Sequence, residues 1–294
     1  MLAIDLRGKK AFVAGIGDDK GFGWAIAKAL IEAGAEVVAG CWPPLYELFL
    51  KGWELGHFDQ ERQLSNGSLL EFAAVYPFDA AYDTMEQVPE EVRENKRYKK
   101  QSQYAIYETS QRFKEQFGSL DLLIHSLANS PEIQKPLLET SRKGYLATLS
   151  ASSYSFVSMM AHFGPCMNRG GKALCLSFLA GERVVPGYGG GMSSAKAALE
   201  ADTRYLAYEA GRQWAINVNC ISAGPWASRA AKAIGAIDQM VDHYKEHSPL
   251  QRAIQPKEVG QTAAFLCSSL ADAITGVTLH LDCGYHIMGT TTKL

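Results

Sequence analysis

Tyr188 and Lys196 are the residues of this 294-residue chain whose types and placement point most directly to chemistry. They flank Gly189, Gly190 and Gly191, between an apolar run ending at Phe178 and a helix-length pattern over 193–213. A phenol there can donate to a substrate oxygen as negative charge builds, while a nearby ammonium holds ribose hydroxyls and favours that charge. A second constellation, Gly15-Ile-Gly-Asp-Asp-Lys-Gly21-Phe-Gly23-Trp, lies between the first apolar run and the first helical pattern. Glycines there permit backbone angles that side chains forbid and let a pyrophosphate approach the helix N-terminus. The spacing departs from G-x-G-x-x-G, so its position after a first strand carries the reading.

The second strand ends in Gly40-Cys41-Trp42, with no Arg or Lys before Lys51. A 2′-phosphate therefore lacks a partner, and NADH is expected rather than NADPH. Trp42 stands where an adenine would stack, although a packed surface tryptophan has the same signature.

The elements that must position these groups follow from periodicity. Short apolar runs at 10–15, 36–40, 69–76, 120–125, 173–178, 216–221 and 277–282 read as seven strands. Helical patterns at 22–34, 104–117, 143–167, 193–213 and 257–267 lie between most of them. Such alternation predicts an α/β fold: one doubly wound, Rossmann-type parallel sheet with helices on both faces. A single domain over 1–294 is expected, interrupted by an insertion at about 43–67 that is partly helical near 45–55. The stretch 83–103 mixes charge signs and reads as a solvated excursion.

Composition excludes other classes. Apolar residues make up 47% and charged residues 20%, which suits a globular chain and neither a disordered nor a fibrous one. The net charge of −2, without a block of one sign, gives no nucleic-acid footprint. No apolar run is long enough to span a membrane, and the N-terminal residues lack a signal-peptide pattern. The six cysteines show no C-x-x-C pair and read as buried free thiols of a reducing compartment. A cytoplasmic location is expected, with the plastid stroma as the alternative if a transit peptide has been removed.

In ordinary short-chain dehydrogenases, Tyr-x-x-x-Lys is the rule, whereas here Met192 occupies the fourth place after Tyr188 and Lys196 the eighth. This extended pair resembles that of NADH-dependent enoyl-[acyl-carrier-protein] reductases, the divergent branch of that superfamily, most closely its plastid-like members. Supporting strings run through the chain: Tyr76-Pro-Phe-Asp79, His125-Ser-Leu-Ala-Asn-Ser-Pro-Glu132, Pro186-Gly-Tyr-Gly-Gly-Gly-Met192, Ile221-Ser-Ala-Gly-Pro225 and Ala273-Ile-Thr-Gly276.

The resemblance implies a role for each matching position. Tyr188 would bond the thioester carbonyl of a trans-2-enoyl chain, and Lys196 the nicotinamide ribose. Gly15, Asp18, Gly21 and Phe22 would line the pyrophosphate, and Trp42, Asp79 and Ala80 the adenosine end. Ser126, Leu127, Ala128, Leu176, Ala223, Pro225, Trp226 and Ser228 would complete the cofactor site. Asn129, Phe178, Met192 and Ala230 would face the substrate, under a lid at about 227–247. Hydride would pass from NADH to the β-carbon, leaving an enolate that Tyr188 stabilises. A carrier-protein-linked substrate and a homotetramer are further implications, the latter through the helices at 143–167 and 193–213.

Two positions depart from the family pattern. Phe178 replaces a usual second tyrosine, and Trp226 replaces a smaller aliphatic residue. Two other readings of the same fold remain: an ordinary 3-ketoacyl or alcohol dehydrogenase using Ser177 with Tyr188, and a non-catalytic NAD-binding regulator. His243-Tyr-Lys-Glu-His247 fits a zinc-peptidase spacing but lacks an evident third ligand, so a solvated helix face is expected and no metal. His125 reads as a packed histidine. Arg229, Lys232 and Lys245 read singly as surface cations, and together as a possible contact for an acidic carrier.

Overall fold

The computed structural model describes residues 3–290; residues 1–2 and 291–294, part of the expected domain, lie outside the described residues. Seven strands form one sheet in the order β3-β2-β1-β4-β5-β6-β7, every pair parallel. They are β1 Lys10–Ala14, β2 Glu36–Cys41, β3 Ala74–Pro77, β4 Leu120–His125, β5 Met167–Ser177, β6 Asn217–Ala223 and β7 Thr278–Leu281. The order reverses between β1 and β4, so a crevice opens at their carboxyl ends, where Gly15 and Ser126 lie.

Among the described residues, ten α-helices connect and cover the strands: α1 Phe22–Glu32, α2 Pro43–Glu54, α3 Asp59–Arg62, α4 Glu90–Arg93, α5 Ile106–Phe117, α6 Arg142–Leu149, α7 Ser155–Phe163, α8 Met192–Trp214, α9 Ile237–His247 and α10 Pro256–Cys267. The strands are apolar on both faces because both are covered. One core holds Val13, Val37, Ile124, Ile221 and Val259 beneath α1 and α10, and the other holds Phe12, Leu123, Phe156 and Leu199 beneath α5, α7 and α8.

The insertion after β2 is folded onto the body of the molecule. Phe49 and Trp53 of α2 pack with Phe58 and Phe72 around Trp24 of α1, with Trp24–Phe58 ring centroids at 5.7 Å. Contacts of this kind add about 0.5–1.5 kcal/mol each beyond area burial.

Three expected boundaries shift. The third strand begins at Ala74, not Leu69, because Leu69 pairs antiparallel with Gln63 and closes the insertion. The fifth begins earlier, at Met167, with a register shift against β4. The helix expected over 143–167 is broken by a π-helical turn at Ser150–Tyr154, and its last turn tightens at Gly164–Cys166 before β5. The six cysteines carry free thiols, and Cys41, Cys175, Cys220 and Cys267 are buried.

Candidate active site

At the head of β1 the chain turns at Gly15, whose φ of +100° belongs to the region glycine favours. A Cβ there would lie 1.9 Å from the carbonyl oxygen of Ser126, so only glycine lets the two crossing strand ends meet. Gly21 then opens α1, and no side chain caps the helix N-terminus. Unpaired N–H groups and the positive end of the helix dipole thus face the crevice, as a pyrophosphate requires. Asp18 stands at this turn, where its Oδ1 accepts from the Lys20 N–H at 2.9 Å.

Trp42, 46% exposed, is fixed by its indole N–H donating to Asp79 Oδ2 at 3.2 Å. The same carboxylate accepts from the Tyr98 hydroxyl at 2.8 Å and from the Ala81 N–H at 3.0 Å. Tyr98 comes from the 83–103 excursion, which is solvated along Glu90, Glu91 and Glu94 yet buries Val88 and Tyr98 in a cluster with the following Tyr104. Sequence reasoning missed this contribution; the tyrosines amid that charged stretch were the available signal.

The catalytic turn is built from the other side. Gly190 N–H donates to Lys135 carbonyl oxygen at 3.0 Å, while Gly190 carbonyl oxygen accepts from Thr148 and Ser130 hydroxyls at 2.8 and 3.0 Å. A Cβ on Gly189 would lie 2.1 Å from the Lys135 oxygen, and one on Gly191 would lie 2.7 Å from the Tyr145 ring. These glycines therefore let the Tyr188 turn seat directly on the 129–135 loop. The π-turn after α6 serves the same loop, since Ser152 exchanges hydrogen bonds with the Asn129 backbone, both at 2.9 Å.

Lys196 is 5% exposed, and its Nζ donates to Leu176 carbonyl oxygen at 2.8 Å. Burial lowers the ammonium's pKa. Burial also pushes the Tyr188 phenol up, so it stands as a proton-bearing donor. Its ring meets Phe178 edge-on at 5.0 Å, and Phe178 stacks with Tyr244 of α9 at 6.1 Å. Ser177 donates a short hydrogen bond to Glu200, whose carboxyl is raised by burial. His125 is fully buried on Ser155 at 2.7 Å, and burial holds it down to about 3.

Leu127 lies against the Gly15 turn, and Ala223 continues β6 at the crevice edge. Met192 is buried at the first turn of α8, whereas Ser228 is half-buried and Ala128, Asn129 and Ala230 are exposed. Trp226 makes an unanticipated contact: its indole N–H donates to the Lys20 carbonyl oxygen at 2.9 Å, on the glycine turn. The 227–247 stretch comprises a tight turn over Ala231–Ile234 followed by α9. His243 and His247 do stand one helical turn apart, with ring centroids 4.3 Å apart. His280, Asp282 and His286 form a separate group that the sequence reading did not weigh.

Known proteins share much of the sequence and the fold. The family described as Enoyl-(Acyl carrier protein) reductase matches residues 81–286. The chloroplastic enoyl-[acyl-carrier-protein] reductase [NADH] 1 of Oryza sativa subsp. japonica is 58% identical over 98% of this chain and 77% of its own length. The corresponding NADH enzyme of Nostoc sp. is 37% identical over 97% of this chain and 99% of its own. The crystal structure of the Plasmodium berghei enoyl-acyl-carrier-protein reductase with triclosan superposes with a TM-score of 0.94 at 44% identity, covering 97% of this chain and 100% of that one.

Proposed function

The chain belongs to the NADH-dependent enoyl-[acyl-carrier-protein] reductase family, and from that premise we propose how its own residues carry out the reaction. It reduces enoyl-acyl-carrier-protein thioesters in fatty acid synthesis. The observation that carries the assignment of roles is the catalytic turn itself. Three glycines docked on the Lys135 loop fix the turn between Tyr188 and the buried Lys196, across a spacing an unbroken helix would not use, which supports pairing the two in one site.

The cradle fits NADH, since Gly15 and the uncapped start of α1 leave room and donors for a pyrophosphate. When bound, NADH supplies the hydride that the β-carbon of the enoyl chain receives. Tyr188 donates its O–H to the thioester carbonyl oxygen and stabilises the negative charge that develops there. Lys196, pinned to Leu176, holds the ribose hydroxyls and adds a positive field. Trp42, held by Asp79, offers its exposed face to the adenine. Gly40-Cys41-Trp42 leaves no cation for a 2′-phosphate, in keeping with NADH.

We read the chain as one domain with an insertion at about 43–67 and a lid at about 227–247. The lid meets the body of the molecule through its own Tyr244, and the stacking of Tyr244 on Phe178 supports a closure centred there. Exposed Leu146, Tyr154, Tyr205 and Tyr208 on α6, α8 and the turn between α6 and α7 support a homotetramer. A native mass near 32.1 kDa would contradict it. The chloroplastic relatives favour the plastid stroma over the cytoplasm as its location.

The test follows loss of NADH absorbance with crotonyl-CoA, beside NADPH and beside a 3-ketoacyl thioester. Turnover confined to the enoyl substrate with NADH is expected. Turnover of the ketone instead would place Tyr188 in ordinary dehydrogenase chemistry, and binding without turnover would indicate a regulator.

A further inference from the structure

At the edge of the sheet, the end of β7 runs into a tight turn over Tyr285–Ile287, which packs through Tyr285 against the cluster of Phe178, Tyr188 and Tyr244. His280 and Asp282, two residues apart, project to one face of the strand end. The Asp282 carboxylate then accepts from the Gly284 N–H at 3.0 Å and the His286 N–H at 2.8 Å. Those bonds fold the chain back and bring His286 against His280. The two imidazoles lie nearly parallel, 10° apart, with centroids at 4.2 Å.

We propose that His280, Asp282 and His286 form a binding site for a divalent transition-metal ion of the zinc class. One ligand atom from each lies within 4.8 Å of the other two. Two imidazoles and a carboxylate are a donor set that suits zinc, cobalt and nickel and is poor for calcium or magnesium. Asp282, with its side chain 3% exposed, is already oriented by backbone donors, so little ordering remains to be done.

A second observation concerns the proton on His280. Its Nε2 lies 3.2 Å from Glu182 Oε1, and a carboxylate in that position fixes the tautomer of a metal-bound imidazole. With Nε2 protonated, the lone pair is on Nδ1, which is buried and has no hydrogen-bond partner. Leaving such an atom unsatisfied costs about 1–3 kcal/mol, a cost that a coordinated ion removes. The Tyr244 hydroxyl, on the helix that packs against Tyr285, is likewise buried without a partner. A cavity of about 290 Å³, lined in part by Arg252, Glu258, His280 and Asp282, gives an ion a route in.

Occupancy replaces the 2.9 Å hydrogen bond between His286 Nδ1 and Asp282 Oδ1 by two bonds to the ion. The His286 proton then resides on Nε2, leaving the ring neutral. Tyr285, between the ligands in sequence, stacks on Tyr244 at 3.8 Å, so the ion would brace the surface on which α9 rests.

The experiment is a titration of untagged, chelator-treated full-length protein with Co2+, followed by visible absorption. A d–d spectrum of low-symmetry coordination is expected, saturating at a single ion per chain and abolished by added Zn2+. It should vanish in His280→Gln and in His286→Gln, with far-ultraviolet circular dichroism and NADH binding retained. It should survive in His243→Gln, which keeps the neighbouring helical histidine pair from being mistaken for the site. Glu182→Gln should weaken Co2+ binding about 10–100-fold. If either ligand variant unfolds, His286→Asn and a zinc-induced rise in Tm of the wild type decide the matter. Absence of the spectrum, its survival in the ligand variants, its loss in His243→Gln, or a thiolate charge-transfer band removed by Cys283→Ser would each overturn the proposal.

Discussion

The indole nitrogen of Trp226 donates to the carbonyl oxygen of Lys20 at 2.9 Å, linking the stretch that leads into the lid with the glycine turn at the start of α1. The two residues are 206 positions apart, and the bond closes the crevice over the end where a pyrophosphate would sit. A smaller aliphatic residue at this position has no donor to offer.

Trp226→Leu should therefore loosen cofactor binding more than it slows chemistry. A neutral hydrogen bond contributes about 0.5–1.5 kcal/mol net, which corresponds to a roughly 2–10-fold rise in KM for NADH. Steady-state kinetics at saturating crotonyl-CoA check this, and an unchanged KM for NADH would show the contact to be incidental.

Tyr188→Phe removes the one hydroxyl assigned to the developing oxyanion while leaving the ring that packs on Phe178. Turnover should fall by about 10²–10³, the usual cost of a lost oxyanion donor. NADH affinity, followed by fluorescence, should stay within error of the wild type. A variant that keeps most of its turnover would move the donor role elsewhere.

The glycine turn makes a sharper steric prediction. Gly189→Ala puts a methyl group 2.1 Å from the Lys135 oxygen and should lower both Tm and turnover by displacing Tyr188. Gly211, exposed in the last turn of α8, has only the Ile216 oxygen nearby, at 3.8 Å. Gly211→Ala should stabilise the fold by about 0.5–1 kcal/mol. Comparable melting curves for the two variants would refute the docking argument.

His125 supplies a pH dependence of stability. Its folded-state pKa of about 3 lies below the ordinary 6.5, because burial and then the Lys196 charge disfavour the imidazolium. Between those values the unfolded chain binds a proton that the folded chain refuses, so stability drops as pH falls through that window. The loss begins near pH 6.5 and is complete near pH 3. His125→Gln should flatten that part of the curve in denaturant titrations, and parallel slopes for the two proteins would contradict it.

Much of the site was legible because its signals are local. A glycine turn after a strand, three glycines between Tyr188 and Lys196, and the bare Gly40-Cys41-Trp42 each state a backbone or charge requirement within a few residues. Periodicity likewise located the sheet and most helices, since burial on both faces leaves continuous apolar runs. The break at Ser150–Tyr154 was not legible: it goes with a contact of Ser152 to the Asn129 backbone, made across 23 residues.

What the sequence determined on its own was the fold class, the cofactor preference and the glycine-rich setting of Tyr188 and Lys196, because propensity, period and charge act over neighbouring positions. What only the tertiary structure decided was the set of partners brought from afar. Tyr98 comes to Asp79 out of a charged excursion, Trp226 reaches Lys20, and His280 meets His286 where a strand end folds back. Each of these rests on directional contacts between side chains whose separation is fixed by packing, and packing depends on every layer of the sheet at once.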